Sequence, residues 1–236
     1  KQVAVRLLRI ITVSKSAKDD ISKDFKISTD RFNVVPNGID TNLFFPMPGV
    51  IRENDRIIVT NSADTPLKGL SYLLRAVAQI SKNRKIRLIV IGSPKKKSGI
   101  VKLIKELEIG SSITFTGRID SQKFVREYAR AALAVVPSVY EGFGLPVGEA
   151  MACGVPVIST TGGALPEVVG SAGIVVPPAD SDALAKAITE LLGNPDMARS
   201  LGTAGYKRVQ ENFTWKRAAE KTVEAYKEAI SDYRRF

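Results

Sequence analysis

Residues 133–159, LAVVPSVYEGFGLPVGEAMACGVPVIS, contain a complete unit of strand, loop, helix and strand. The runs LAVVP (133–137) and VPVIS (155–159) are short, apolar and rich in valine and isoleucine, which is typical of buried strands. A glycine-rich loop at 138–144 and the entrance to a helix lie between them. Because parallel neighbours need such a crossover, this stretch predicts two parallel strands joined by a helix.

The same alternation continues through the chain from Arg56 onward. In the segment after the first strand, Leu70, Leu73 and Val77 are spaced so that one apolar stripe of a helix faces a sheet. Six strands with intervening helices predict an α/β fold with a doubly wound, parallel, six-stranded, Rossmann-like sheet. The six predicted strands are residues 56–60, 86–91, 112–116, 133–137, 155–159 and 173–177.

The usual strand order of such a sheet predicts where a ligand binds. In the order 3-2-1-4-5-6, the first and fourth strands lie side by side, and ligands bind in the crevice beyond their carboxyl ends. The loops that leave these two strands are NSADTPLK (61–68) and SVYEGFG (138–144). We therefore expect both loops to flank one ligand-binding crevice.

The first fifty residues fit this sheet less well. RIITVS indicates a lone strand, AKDDISKDF a helix, and FNVVPNGIDTNLFFP an extended connector with a turn at Asn37-Gly38. A single strand and helix ahead of a complete sheet, in a chain without an initiator Met, indicate the end of a preceding domain that is absent from this chain.

Composition narrows the classes of function. The 236 residues are 44% apolar and include one cysteine, Cys153, and no histidine. These numbers indicate a globular chain that suits a reducing cytosol and exclude Ser-His and Cys-His mechanisms within it. The net charge of +11 favours an anionic partner. We expect no nucleic acid, because the basic run at 95–97 is typical of a solvated loop.

The glycine-rich loop could belong to a dinucleotide site. Gly142 and Gly144 lie in it and Gly148 follows, but this set of glycines stands between two acids, Glu141 and Glu149. A dinucleotide loop follows the first strand of its unit, and an acid about 20 residues later holds the ribose. Here the loop follows the fourth strand, and the next strand ends in ISTTGG without an acid. The pattern therefore disfavours an oxidoreductase.

The alternative ligand carries both hydroxyls and phosphates. Carboxylates accept hydrogen bonds from hydroxyls, whereas bare amides and a helix N-terminus bind phosphate oxygens. Lys68, just before a predicted helix at 70–82, adds a cation. A nucleotide sugar has both features. Taken singly, Glu149 could complement the helix dipole, Glu141 could be an exposed loop acid, and Lys68 could be a solvated lysine.

Together these residues resemble the motifs of a known family. Glu141 and Glu149, in PSVYEGFGLPVGEAMACGVPVISTTGGALPEVV, resemble the E-x7-E signature of retaining GT-B glycosyltransferases of group 1, the glycogen-synthase-like class. VVPNGIDTNLFFP, LKGLSYLLRAVAQI and ENFTWKRAAEKTVEAY resemble that family's connector, phosphate-lysine helix and closing helices. The resemblance covers nearly the whole chain and implies the C-terminal, donor-binding half of a GT-B enzyme.

The resemblance also implies a division of the chain into three parts. Residues 1–50 would be the end of the acceptor domain and the interdomain connector. Residues 51–212 would form the Rossmann-like nucleotide-sugar-binding domain. Residues 213–236 would form a C-terminal helix that packs back toward the first domain.

Residue roles follow from the same resemblance. Glu149 would hold the ribose hydroxyls, while Glu141 and Lys68 would be the catalytic groups, beside the transferred sugar and the diphosphate respectively. The family usually has an arginine five or six residues before this lysine, where Ala63 and Ser62 stand, so Ser62 is the expected, weaker substitute. The other implied donor-binding residues are Gly142, Phe143, Gly144 and Leu145, with Arg118 and Ile119 beside the nucleobase.

The expected chemistry needs no metal and no cofactor. Lys68, backbone amides and a helix dipole can meet the charge of a diphosphate leaving group. The D-x-D string Asp180-Ser181-Asp182 opens a helix and is predicted to be an N-cap. The resemblance implies that the sugar keeps its anomeric configuration. Front-face attack is the favoured account, and a covalent intermediate on Glu141 is the alternative.

The expected partners are a UDP or GDP sugar and, through an N-terminal domain outside this chain, an acceptor sugar or lipid-linked glycan. We expect a cytoplasmic retaining hexosyltransferase, and its charge is compatible with peripheral association at the inner membrane surface. Two other interpretations stay open. One is a non-catalytic nucleotide-sugar-binding regulatory or scaffold subunit, and the other is a sugar-nucleotide epimerase of the same fold.

Overall fold

The computed structural model describes residues 3–60, 65–94 and 99–234. Its strands are β1 (Ile10–Thr12), β2 (Phe32–Val34), β3 (Glu53–Thr60), β4 (Arg87–Ile91), β5 (Ile113–Phe115), β6 (Ala131–Val136), β7 (Val157–Thr160) and β8 (Ile174–Val176). The six from β3 to β8 form one parallel sheet in the order β5-β4-β3-β6-β7-β8. The predicted doubly wound topology and the adjacency of its first and fourth strands are confirmed.

Helices cover both faces of this sheet because successive strand residues point to opposite sides. The helices are α1 (Lys15–Phe25), α2 (Leu70–Ser81), α3 (Gly99–Glu106), α4 (Ser121–Arg130), α5 (Leu145–Ala152), α6 (Leu165–Val169), α7 (Ser181–Gly193), α8 (Pro195–Asn212) and α9 (Trp215–Tyr233). Ile58 packs in a core with α4, α5, α6 and α8, whereas Ile57 and Val59 pack in a second core with α2, α3 and α7.

The strand β3 begins three residues before its predicted start at Arg56. Glu53 pairs with Ala131 of β6 in the sheet. Its carboxylate accepts hydrogen bonds from Arg87 and Arg130, each at 2.6 Å. Arginines of β4 and α4 therefore neutralise the acidic start of β3, a long-range effect that the local apolar pattern does not register.

The first fifty residues depart from the prediction in two places. The predicted lone strand is wrong, because β1 pairs in parallel with β2 and α1 is the crossover between them. The predicted turn at Asn37-Gly38 is also wrong, since residues 35–38 form no turn and Ile39 pairs with Thr214. A glycine is needed at this place for another reason. A Cβ on Gly38 would lie 2.6 Å from the backbone of Trp215.

The last helix, α9, contacts the beginning of the chain. Arg9 donates from Nε to Asp232 at 2.7 Å, and Asn33 donates from Nδ2 to Glu228 at 2.8 Å. The backbone amide of Ile39 donates to the carbonyl of Phe213 at 2.7 Å. These contacts join α9 to the unit of β1, α1 and β2. The division at residues 50 and 212 stays a prediction.

Candidate functional site

Two loops meet beyond the carboxyl ends of β3 and β6. The amide of Val139 donates to the carbonyl of Leu67 at 2.8 Å. Gly69 has a φ of +70° and lies so close to β6 that a Cβ would be 1.9 Å from the carbonyl oxygen of Pro137. Only glycine tolerates both conditions. The described part of the first loop and the whole of the second therefore form one crevice, as the strand order predicts.

Lys68 and Glu141 form an ion pair in this crevice. Lys68 ends a single turn of 3-10 helix, and its Nζ donates to Glu141 Oε1 at 2.7 Å. Ser138 Oγ donates to the same carboxylate oxygen at 2.8 Å. The side chain of Glu141 is 12% exposed and that of Lys68 is 35% exposed. The two residues, predicted to have separate roles, are thus in direct contact.

The glycine loop turns sharply into α5. Gly144 has a φ of +99°, and a Cβ on it would lie 2.6 Å from Leu165. Phe143 is buried edge-on against Phe213, whereas Leu145, the first residue of α5, is exposed. None of the hydrogen bonds within the described part of the chain uses the amides of Phe143 and Gly144. These amides at the N-terminus of α5 are suited to an anion.

The loop after β7 packs against the glycine-rich loop at 138–144, which contains Glu141 and is called the acid loop below. Gly163 has a φ of +61°, and a Cβ on it would lie 2.3 Å from the carbonyl oxygen of Glu141. The amide of Ala164 donates to that carbonyl at 2.9 Å, and Thr160 Oγ1 donates to the carbonyl of Ser138. In the sequence, ISTTGG was informative because it lacks an acid. Its two adjacent glycines also indicate that another backbone segment approaches closely, a signal that the prediction missed.

Glu149 has a different environment from Glu141. It lies in α5, partly buried, with the Tyr128 hydroxyl 3.4 Å from its Oε2. Burial raises the pKa of the Glu149 carboxyl from its ordinary 4.5 to about 7, and the hydrogen bond from Tyr128 opposes this effect. Burial, together with the negative charge of Glu149, also raises the pKa of Tyr128. Glu149 therefore exchanges its proton near neutral pH.

Of the other predicted donor-binding residues, Arg118 and Ile119 also lie beyond the carboxyl ends of the strands, and Ser62 lies outside the described ranges. Arg118 is exposed and Ile119 is partly buried, just after Gly117, which bridges to Gly92 at the end of β4. Since β5 is three strands from β6, they lie at the far end of the crevice from the acid loop. Ser62 lies outside the described residues, so its phosphate contact stays a prediction.

The helix α1 contacts the acid loop, which the sequence did not predict. Ser14 caps α1 and donates from Oγ to the carbonyl of Gly142 at 2.8 Å. Tyr140 donates to Asp20 of α1. The Glu167 carboxylate accepts from the first two amides of α1 at 2.9 and 2.7 Å. VSKSAKDD signals the N-cap, but no local pattern reveals which distant loop the cap contacts.

Asp180 is an N-cap, as predicted for the D-x-D string. Its Oδ1 accepts from the amides of Asp182 and Ala183 at 3.0 and 2.8 Å. Across residues 3–60, 65–94 and 99–234, no group of three or more histidine, cysteine or acidic residues is arranged to hold a metal ion. Metal independence of the reaction stays a prediction.

Comparison with known proteins identifies the family. Residues 45–208 match the family model described as glycosyl transferases group 1. The chain belongs to the group 1 glycosyltransferases. The matched region of this glycosyltransferase includes the six-stranded sheet, Lys68, the acid loop and α5. The resemblance read from the E-x7-E pattern is thereby confirmed.

Two curated relatives are mannosyltransferases by name. An MMP alpha-(1->4)-mannosyltransferase of Mycolicibacterium hassiacum is 41% identical over 98% of this chain and 56% of its own length. A GDP-mannose-dependent monoacylated alpha-(1-6)-phosphatidylinositol monomannoside mannosyltransferase of Corynebacterium glutamicum is 31% identical over 80% of this chain and 54% of its own length. The glycosyltransferase chain thus spans little more than half the length of these relatives.

A solved structure agrees with the fold. Sucrose-phosphate synthase from Thermosynechococcus elongatus superposes with a TM-score of 0.81 and 32% identity, over 94% of this chain and 58% of that one. The glycosyltransferase has the fold of the C-terminal, Rossmann-like domain of GT-B enzymes. In the part of the chain that the structure describes, every helix is too short or too polar to cross a bilayer.

Proposed function

We propose that this glycosyltransferase chain binds a nucleoside diphosphate hexose and supplies the donor half of a retaining sugar transfer. One observation carries the proposal. Lys68, Glu141 and the amides of Phe143 and Gly144 lie at the switch point of the sheet, and within the described residues those two amides have no hydrogen-bond partner. Glu149, an acid of different character, follows in α5. This set offers a cation and N–H donors to a diphosphate and carboxylates to sugar hydroxyls.

Each group takes one part of the donor. Lys68 and the amides of Phe143 and Gly144 bind the diphosphate, with the N-terminus of α5 aimed at its charge. Glu149 accepts hydrogen bonds from the ribose hydroxyls, which replace the weak contact from Tyr128. Arg118 and Ile119 flank the base of the donor. Ser62, Gly142 and Leu145 approach its phosphates.

The transfer step breaks the bond between the anomeric carbon and the diphosphate oxygen. The acceptor hydroxyl oxygen attacks the anomeric carbon from the same face, and its proton passes to an oxygen of the departing diphosphate. Lys68 neutralises the diphosphate charge that develops, so no metal is required for that role. Lys68 and Ser138 both donate to Glu141 Oε1, and this engagement of the oxygen favours a role for Glu141 in stabilising positive charge on the sugar over a role as covalent nucleophile.

The relatives' names suggest which substrates to test first. Both mannosyltransferases support mannose as the transferred sugar, and one name specifies GDP and a phosphatidylinositol mannoside acceptor. We propose GDP-mannose as the first candidate donor and UDP sugars as the second. The acceptor, a sugar or lipid-linked glycan, would bind through an N-terminal part, with the enzyme in the cytoplasm at the inner membrane surface. Membership of group 1 favours transfer over the epimerase interpretation.

Calorimetry with GDP, UDP, their mannose and glucose conjugates, and the parent nucleosides tests the proposal. We expect a diphosphate to bind more tightly than its nucleoside, and Glu149→Gln to weaken binding of both because each contains the ribose. The enzyme with its N-terminal half should then release the nucleoside diphosphate during transfer, equally well in Mg²⁺ and in EDTA. Donor binding without turnover would favour a regulatory subunit, and the absence of nucleotide binding would refute the donor site.

A further inference from the structure

A second cavity lies at the opposite end of the parallel strands from the crevice that contains Lys68 and Glu141, which is called the acid crevice below. It occupies about 520 Å³ beside the amino ends of β3, β6 and β7, under the end of α7 and one face of α8. This volume is within the range of sites that bind small molecules. The cavity shares no residue with the acid crevice. None of the residues assigned to sugar transfer lines it.

Two of the arginines that line this cavity, Arg52 and Arg84, have no acidic partner among the described residues. Arg52 donates to the carbonyls of Ala131 and Gly154 at 2.8 and 3.0 Å, and Arg84 donates to the carbonyl of Leu192 at 3.1 Å. Within the described ranges neither arginine forms a salt bridge, and no aspartate or glutamate lines the cavity. Burial lowers the pKa of Arg52, as expected for a cation whose charge is not neutralised.

The rest of the wall is mainly apolar. Leu191 and Pro195 lie at the junction of α7 and α8, and Tyr206 presents a partly exposed ring from α8. A third arginine at the rim, Arg199, is paired with Asp196 in solvent. The cavity therefore combines a cationic side with an apolar side. A ligand that fits it has an anionic group at one end and an apolar body at the other.

We propose that this cavity is a binding site for a small oxyanion, a carboxylate or phosphate ester, carried on a flat apolar body. The oxyanion lies against Arg84 and Arg52, which gain a charged partner in place of carbonyl dipoles. The apolar body packs between Leu191 and the Tyr206 ring, where its burial displaces water. This site is separate from donor binding and does not depend on it.

Phenyl phosphate is the probe, because it joins an oxyanion to a flat ring. Calorimetry should detect its binding to the purified protein, with benzyl alcohol and inorganic phosphate each binding much more weakly. Arg84→Gln should weaken phenyl phosphate binding about tenfold, since it removes a charge-assisted contact, and Tyr206→Ala should weaken it several-fold. The matched control is Arg126→Gln, an exposed arginine of α4 outside the cavity, which should have no effect.

A Lys68→Ala variant separates this cavity from the acid crevice. Phenyl phosphate binding that is unchanged by Lys68→Ala and reduced by Arg84→Gln supports the proposal. Binding lost in Lys68→Ala, equal affinity in wild type and Arg84→Gln, or no binding of the probe would each overturn it. Tyr206 is at the surface, so Tyr206→Ala decides the question if Arg84→Gln does not fold.

Discussion

The ion pair between Lys68 and Glu141 leads to an unexpected prediction about the affinity for nucleoside diphosphates. A diphosphate that binds Lys68 competes for this cation with the Glu141 carboxylate, whose Oε1 lies 2.7 Å from the lysine Nζ. It must also approach that negative charge. The variant Glu141→Gln removes the charge and keeps the shape of the side chain. We therefore expect Glu141→Gln to bind a nucleoside diphosphate more tightly than the wild type, although it should transfer sugar more slowly.

The size of the gain follows from the exposure of the pair. A charge-assisted hydrogen bond is worth about 1.5–3 kcal/mol when buried, but the Lys68 side chain is 35% exposed and solvent screens the pair. We therefore expect the variant to gain about 0.5–1.5 kcal/mol, or roughly two- to tenfold in affinity. The gain should be absent for the nucleoside, which lacks phosphates.

Calorimetry with GDP, UDP and their nucleosides measures this effect. Ser138→Ala is the matched control, because it removes the other donor to Glu141 Oε1 without changing charge and should not increase affinity. Equal or weaker binding of the diphosphate by Glu141→Gln would show that the bound phosphates do not compete with Glu141 for Lys68. A gain that appears for the nucleoside as well would place the effect elsewhere in the crevice.

Three further predictions concern Lys68, Glu149 and Glu53 at the start of β3. Lys68→Ala should weaken diphosphate binding by about 1.5–3 kcal/mol, or roughly ten- to hundredfold, and leave nucleoside affinity nearly unchanged in calorimetry; equal losses for both ligands would contradict a phosphate contact. Burial raises the Glu149 pKa to about 7, so the folded state binds the proton more tightly than the unfolded chain. Stability should therefore fall by up to about 3 kcal/mol as pH rises from about 5 to 8. Denaturant titrations should show a smaller fall in Glu149→Gln, and parallel curves would contradict the shift. Glu53→Gln, which breaks ion pairs with three arginines, should cost about 1–2 kcal/mol of unfolding free energy in the same assay. The variant Glu106→Gln, at an exposed acid, should cost little; equal costs would mean that the Glu53 network contributes no special stability.

The local pattern of apolar residues was sufficient to predict the order of the strands in the sheet and the position of the candidate site. Apolar runs and helical stripes alternate from β3 onward, and right-handed crossovers leave few ways to arrange them. The acids on either side of the glycine loop were visible for the same reason, since the loop follows one predicted strand and precedes one helix. The predictions failed at β2, at the polar start of β3 and at Gly38. In each place a distant partner, rather than the local sequence, stabilises the backbone.

The sequence by itself determined the α/β class, the family, and the residues at the crevice, because these depend on periodicity and on motifs of adjacent residues. Only the tertiary structure decided how those residues are coupled. Lys68 and Glu141 are 73 positions apart and form one ion pair, and Ser14 reaches the acid loop from 128 positions away. The elevated pKa of Glu149 likewise depends on its burial in the folded chain. Such contacts and local dielectric environments arise from packing, so no single segment of sequence encodes them.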